Sequence, residues 1–226
     1  MEQKKSMGSS LMMMLTAFIF GIAFVAQSDG MNYVGGFTFV GCRYLLAGTV
    51  LLPVIAAFRK RDQSAWEAMD PGKRARCNRN SLVGGICCGI CLFIGTSLQQ
   101  FGVAYTTVAK AGFITSLYIV MVPLAGLLFL HKRVARNVWV GVALALAGMY
   151  LLCIKEGFSV ETGDVLVLLC AVGFTFHILT IDHFAPEADG ILMSSIQFYT
   201  TGVLGCIAMF LVEEPHWDAI LAARVS

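Results

Sequence analysis

A chain of 226 residues is long enough for one soluble domain, but this one is 58% hydrophobic and only 13% charged, against about a quarter charged in ordinary globular proteins. Sixteen Lys and Arg against fourteen Asp and Glu leave a net charge of +2, which does not call for a nucleic-acid partner. The charges gather in short clusters between long apolar runs, an arrangement that excludes a water-soluble domain and implies an all-α polytopic membrane protein.

The first run, about 11–28, follows Lys4 and Lys5. A charged start before an apolar stretch resembles a signal peptide. No convincing small-residue cleavage site ends it and more runs follow at once, so it is expected to remain as a helix. Six further runs cover 33–58, 81–103, 108–130, 137–154, 164–181 and 190–212. Each approaches or exceeds the ~20 residues that a helix needs to cross a bilayer. A helix satisfies its own backbone in lipid, and runs this uniformly apolar do not fit the alternating strands of a barrel. Ser28-Asp29-Gly30, Thr162-Gly163-Asp164 and Pro186 with Asp189-Gly190 mark turns. Asp164 then faces the positive end of the following helix dipole.

Basic residues cluster at Lys4 and Lys5, across the 59–79 loop, and at Lys132, Arg133 and Arg136. Counting helices puts all three on one side, which the excess of Lys and Arg identifies as the cytoplasm, with the amino terminus there too. The turn after the sixth run holds Asp182, His183, Glu187 and Asp189, and acidic residues carry little weight in that rule. Seven of the eight cysteines lie in apolar runs. Cys87, Cys88 and Cys91 superficially resemble a metal cluster, yet a structural zinc site needs four ligands with a supporting shell. Small buried side chains are the reading taken, and no metal or cofactor is expected. The sequence holds no phosphate loop, HExxH or nucleophile elbow, so an enzyme is not expected.

Two internal echoes bear on architecture. GIAFVAQ at 21–27 parallels GFTFHIL at 173–179, and CRYLLAG at 42–48 parallels IQFYTTG at 196–202. The sixth and seventh runs thus repeat the first and second. A repeat of five helices is odd, so the second copy enters from the opposite side of the membrane, as in the inverted repeats of secondary transporters. Five plus two leaves a deficit, and a longer protein with three further helices is expected.

Ionisable groups inside a span are costly and face a cavity, a partner or the interface. Arg43 lies well inside the second run and is expected to face a cavity or pair with a helix. Lys110, near the start of the fourth, either snorkels to the headgroups or lines an entrance. Neither has an obvious acidic partner in the apolar runs, and two such cations favour an anionic or zwitterionic small molecule. Gln27, Gln99, Gln100, Thr115, Tyr118, His177 and Gln197 space further polar groups through the runs. Singly each is an interhelical hydrogen bond; together they describe helices enclosing something polar. His177 can carry a proton near neutral pH, and Pro123 can bend the fourth helix.

The chain resembles the EamA-like family of the drug/metabolite transporter superfamily. The resemblance rests on CRYLLAG, on SLQQFGVAYTTVAKAGFITSLYIVMVPLAGLLFLHKR at 97–133, on GVALALAGMYLL at 141–152 and on GDVLVLLCAVGFTF at 163–176. It implies a ten-helix fold of two inverted five-helix repeats, of which about seven helices are present: 1–154 as the first repeat and 163–226 as the start of the second. It also implies efflux or exchange of a small metabolite across the plasma or inner membrane by alternating access. By position, Arg43 matches the family's basic residue in the second helix. Tyr105, Thr106 and Thr107 match the polar turn that opens the fourth, and Pro123 matches its proline. His131, Lys132 and Arg133 stand where a Gly-Glu-Arg-like helix end is common, so the acidic residue is absent. Gln197 replaces the corresponding arginine of the second repeat. The pathway expected is therefore Arg43, Lys110, Gln27, Tyr105, Thr115, Tyr118, His177 and Gln197. The partners expected are the lipid bilayer, the small molecule and a second copy in a homodimer. The alternative is a membrane structural or receptor component without a transport cycle, whose central cavity would be lined by apolar contacts alone.

Overall fold

The computed structural model of the chain describes residues 2–61, 66, 68–130, 136–153 and 161–213. Among the described residues the long elements are all α-helices: α1 Glu2–Gly30, α2 Gly36–Arg61, α3 Pro71–Ala104, α4 Val108–Ser116, α5 Tyr118–Leu130, α6 Arg136–Cys153, α7 Thr162–Phe184 and α8 Gly190–Val212. Among these residues six stretches are long and apolar enough to cross a membrane: Leu11–Gly30, Gly36–Phe58, Pro71–Ala104, Val108–Leu128, Thr162–Glu187 and Gly190–Val212. The polar tail after Glu213 and the 131–133 helix end lie outside the described residues.

Two helices depart from the apolar runs. The third starts ten residues before its run, so Lys73, Arg74, Arg76 and Arg79 ride on its first turns and not in a loop. The cause is local. Asp70 caps the helix by accepting from the backbone of Gly72 and Lys73, and Pro71 sits at its first position, where a missing N–H costs nothing. The fourth run is split at Leu117 into α4 and α5. Leu117 N donates to Ile114 O and Val120 N to Leu117 O, tightening the chain to a three-residue spacing just ahead of Pro123. The break thus falls more than a turn before the proline, in the segment leading up to Ile119, whose carbonyl the proline ring crowds.

The third helix lies broadly against both α7 and α8, and α2 lies along α8. Lipid tails give helices little hydrophobic reason to associate, so close packing and interhelical hydrogen bonds do the work. Both are visible. Gly41 of α2 meets Gly205 and Cys206 of α8, Gly95 of α3 meets Gly173 of α7, and Gly89 of α3 has Thr200 and the carbonyl of Gln197 against it. Thr201 Oγ1 donates across the same α3–α8 crossing to Gly89 O at 2.9 Å. One apolar cluster, Val40, Tyr44 and Leu92 with Phe93, Phe174 and Phe198, joins α2, α3, α7 and α8. A second, Val103, Ala111 and Val167 with Phe24 and Ile114, joins α1, α3, α4 and α7. From Leu11 to Phe20, α1 is exposed on every side.

Polar joints occupy both ends of this bundle. At one end the Tyr105-Thr106-Thr107 turn docks on the start of α7. There Thr106 Oγ1 donates to Asp164, and Asp164 and Glu161 form a reciprocal capping box. Glu213, at the end of α8, reaches the start of α2. At the other end Glu187 meets Asn80 Nδ2 at 3.1 Å and Arg76 at 3.9 Å, and Asp189 N donates to Ser81 Oγ at 2.8 Å. The acidic turn that carried no weight in the sidedness count therefore sits beside the basic start of α3.

Candidate functional site

The polar residues singled out in the sequence fall into three groups. The central group straddles α2, α5, α7 and α8. His177 Nε2 lies 3.1 Å from Gln197 Oε1; with that oxygen as acceptor, the neutral imidazole is the Nε2–H tautomer. One turn before His177, Phe174 takes the edge of Tyr118, centroids 6.3 Å apart. Next to Gln197, Phe198 packs against Tyr44 at 5.7 Å. Arg43 Nη2 in turn donates to Tyr44 Oη at 3.1 Å. The guanidinium carbon lies 4.9 Å from the Tyr44 ring centre and 5.9 Å from that of Phe39.

Arg43 is the chemically uncommon member. A guanidinium inside a span must be matched, and aromatic faces do part of this, each worth about 0.5–2 kcal/mol. Among the described residues no carboxylate lies within ion-pair distance of it. Its planar fork carries more N–H donors than the single bond to Tyr44 uses. Such a fork matches a carboxylate or phosphate in bidentate fashion.

A second group links α1, α3 and α4. Gln100 Nε2 donates to the backbone oxygen of Gln27 at 3.1 Å, while the Gln27 side chain turns back to Ala23 O at 3.2 Å. Gln99 Nε2 lies 3.3 Å from Thr115 Oγ1. Gln27 through its backbone oxygen and Thr115 through its side chain are thus engaged in helix-to-helix joints. Ser97, which the sequence did not single out, lies one turn before Gln100. Ser97 Oγ and Gln100 Oε1 are buried with no hydrogen-bond partner among the described residues. A buried glutamine next to a serine at helical spacing was the available signal.

The third group is at the end of the bundle. Lys110 Nζ lies 3.8 Å from Glu161 Oε1, with the lysine side chain 11% and the glutamate 48% exposed. The apolar runs offered no acidic partner because Glu161 stands outside them, at the cap of α7. The lysine side chain is largely buried, and its ammonium faces this half-exposed carboxylate at the end of the bundle. Tyr105 is exposed and its ring stays out of the interior; its backbone closes α3 by donating to Gly102 O. The structure thus pairs His177 with Gln197 and joins Arg43 to Tyr118 through Tyr44, Phe198 and Phe174 of one apolar cluster. Gln27, Thr115 and Lys110 make their contacts elsewhere, and Tyr105 stays exposed. Among the described residues no three His, Cys, Asp or Glu side chains cluster to hold a metal ion.

The sequence profile of the EamA-like transporter family matches residues 7–154. Over 203 residues the chain is 28% identical to an uncharacterized transporter of Archaeoglobus fulgidus, an alignment that takes in 90% of this chain and 58% of that protein. The chain therefore spans less than two thirds of this relative's length. No solved structure matches it.

Proposed function

The chain belongs to the EamA-like transporter family, and from that premise we propose that it moves a small anionic or zwitterionic metabolite across the membrane by alternating access. Arg43 is the observation that carries the solute class. It holds a charge inside a span, rests on two aromatic rings and has no carboxylate beside it among the described residues. A solute carboxylate or phosphate is the partner that such a group lacks. Tyr44, Phe198, Gln197 and His177 continue from it toward Phe174 and Tyr118, offering alternating aromatic and hydrogen-bonding surface.

The inverted-repeat reading, with 1–154 as one unit and 163–226 as the start of the next, draws support from contacts between α2 and α8. Aligning 42–48 with 196–202 makes Tyr44 equivalent to Phe198, Leu45 to Tyr199 and Gly48 to Gly202. Gly48 packs on Tyr199, and Gly202 packs on Leu45. Each contact is thus returned by its equivalents, while Tyr44 and Phe198 meet each other. Reciprocity of this kind is what a two-fold axis generates. The solute then binds near that axis and the two units rock around it, exporting or exchanging it at the plasma or inner membrane.

The test is transport by the full-length protein in liposomes, offered a mixture of metabolites inside and outside and read by mass spectrometry. The expected result is exchange of one or more carboxylate or phosphate solutes, falling about tenfold or more in Arg43→Met as one charged hydrogen-bond partner is lost. Undiminished exchange in folded Arg43→Met protein removes Arg43 from the site, and exchange of cations alone overturns the solute class.

A further inference from the structure

We propose that Glu213 is a latch between α8 and α2 that holds one end of the bundle shut and biases the protein toward the state open at the other end. What the motion accomplishes rests on the transport reading above; the latch itself rests on geometry.

Every helix starts with backbone N–H groups that have no partner within the helix. The start of α2 supplies no capping side chain of its own, because Gly35 and Gly36 stand at the capping positions. The partner comes from 176 residues away. Glu213 Oε1 accepts from Phe37 N at 2.7 Å, and Oε2 accepts from Thr38 N at 2.9 Å and Thr38 Oγ1 at 2.7 Å. All three are charge-assisted, and the carboxylate sits at the positive end of the α2 dipole. The glycine at 35 is part of the fit, since the space its Cβ would take is filled by the Glu213 carboxylate. Under the repeat reading, α2 and α8 belong to different units, so this bond must break whenever that end opens.

Among the described residues the joints at the opposite end are looser. Arg76 and Glu187 are 3.9 Å apart with side chains 68% and 57% exposed, a geometry in which water screens most of the attraction. Asn80 and Ser81 add one uncharged-donor hydrogen bond each. A partly buried carboxylate with three short bonds therefore opposes an exposed ion pair, and the resting state is the one closed at Glu213.

Spin-label distances in the full-length protein in lipid nanodiscs test this without a substrate. In a background lacking native cysteines, one label pair is placed at Tyr33 and Val212, exposed positions beside the latch, and another at Asn78 and Ala185 at the far end. Glu213→Gln removes the charge, and Gly35→Ala leaves the charge but displaces the carboxylate. Thr38→Val deletes one donor alone. In Glu213→Gln and Gly35→Ala the ratio of long to short Tyr33–Val212 distances is expected to rise about tenfold, the scale of losing charged hydrogen bonds. Thr38→Val is expected to move it less in the same direction, and the far pair is expected not to lengthen. Unchanged Tyr33–Val212 distances in both Glu213→Gln and Gly35→Ala overturn the latch, and so does parallel lengthening at both ends, which is general loosening. Should Glu213→Gln fail to fold, Gly35→Ala decides alone. A shifted distance in a protein that exchanges no solute leaves the latch standing and removes the transport reading.

Discussion

Replacing Gly89 by alanine sets a methyl group where α3 and α8 touch. The new Cβ would stand 2.5 Å from Thr200 Cβ, 2.9 Å from Thr200 Cγ2 and 2.9 Å from the backbone oxygen of Gln197, where ordinary contact is 3.4–4 Å. A backbone oxygen and a β-branched Cβ inside a helix cannot rotate away, so the two helices must part by roughly 1 Å. Overpacking of this kind costs about 1–3 kcal/mol, reduced by up to about 1 kcal/mol from the better helix propensity of alanine. The net expectation is a loss of ~1–2 kcal/mol. Gly112→Ala in α4 is the control, since nothing among the described residues lies within 4 Å of its Cβ position, and only the propensity gain remains. Reversible unfolding in mixed detergent micelles, followed by circular dichroism, gives both values. Because the displaced carbonyl belongs to Gln197, the side chain paired with His177 moves too, and solute exchange is expected to fall along with stability. A Gly89→Ala protein as stable as its parent refutes the close-packing account of the α3–α8 crossing.

Two other outcomes are expected. A double-mutant cycle of Lys110→Met and Glu161→Gln should show a coupling of about 0.5–1 kcal/mol at low salt, shrinking as salt is added because the glutamate is half exposed; zero coupling at low salt refutes the pairing. With single cysteines in a background lacking native ones, an impermeant thiol reagent applied to intact cells should label Asp29 and spare Asn78, and the reverse pattern inverts the orientation drawn from the basic clusters.

Much of the architecture could be read along the chain because burial in lipid is a local demand. Each helix must bring its own apolar stretch and satisfy its own backbone, so hydropathy alone located α8 at the bounds 190–212 that it occupies. The extension of α3 was also local, carried by Asp70 and Pro71, but its polar residues hid it from a hydropathic reading. The choice of contacts was not local. Arg43, His177 and Gln197 stood out by type, yet whether two of them meet depends on which helix faces which, and the hand and register of packing are set by glycines such as Gly41, Gly89 and Gly95 against their opposite numbers. Gln27 and Thr115 looked equally suited to a pathway, yet the Gln27 side chain folds back on its own helix and Thr115 meets Gln99 of α3. Lys110 and the start of α2 found carboxylates at Glu161 and Glu213, both outside the apolar runs and far along the sequence. Charges reach across space while hydropathy is read along a chain, so those pairings appeared only when the helices were assembled.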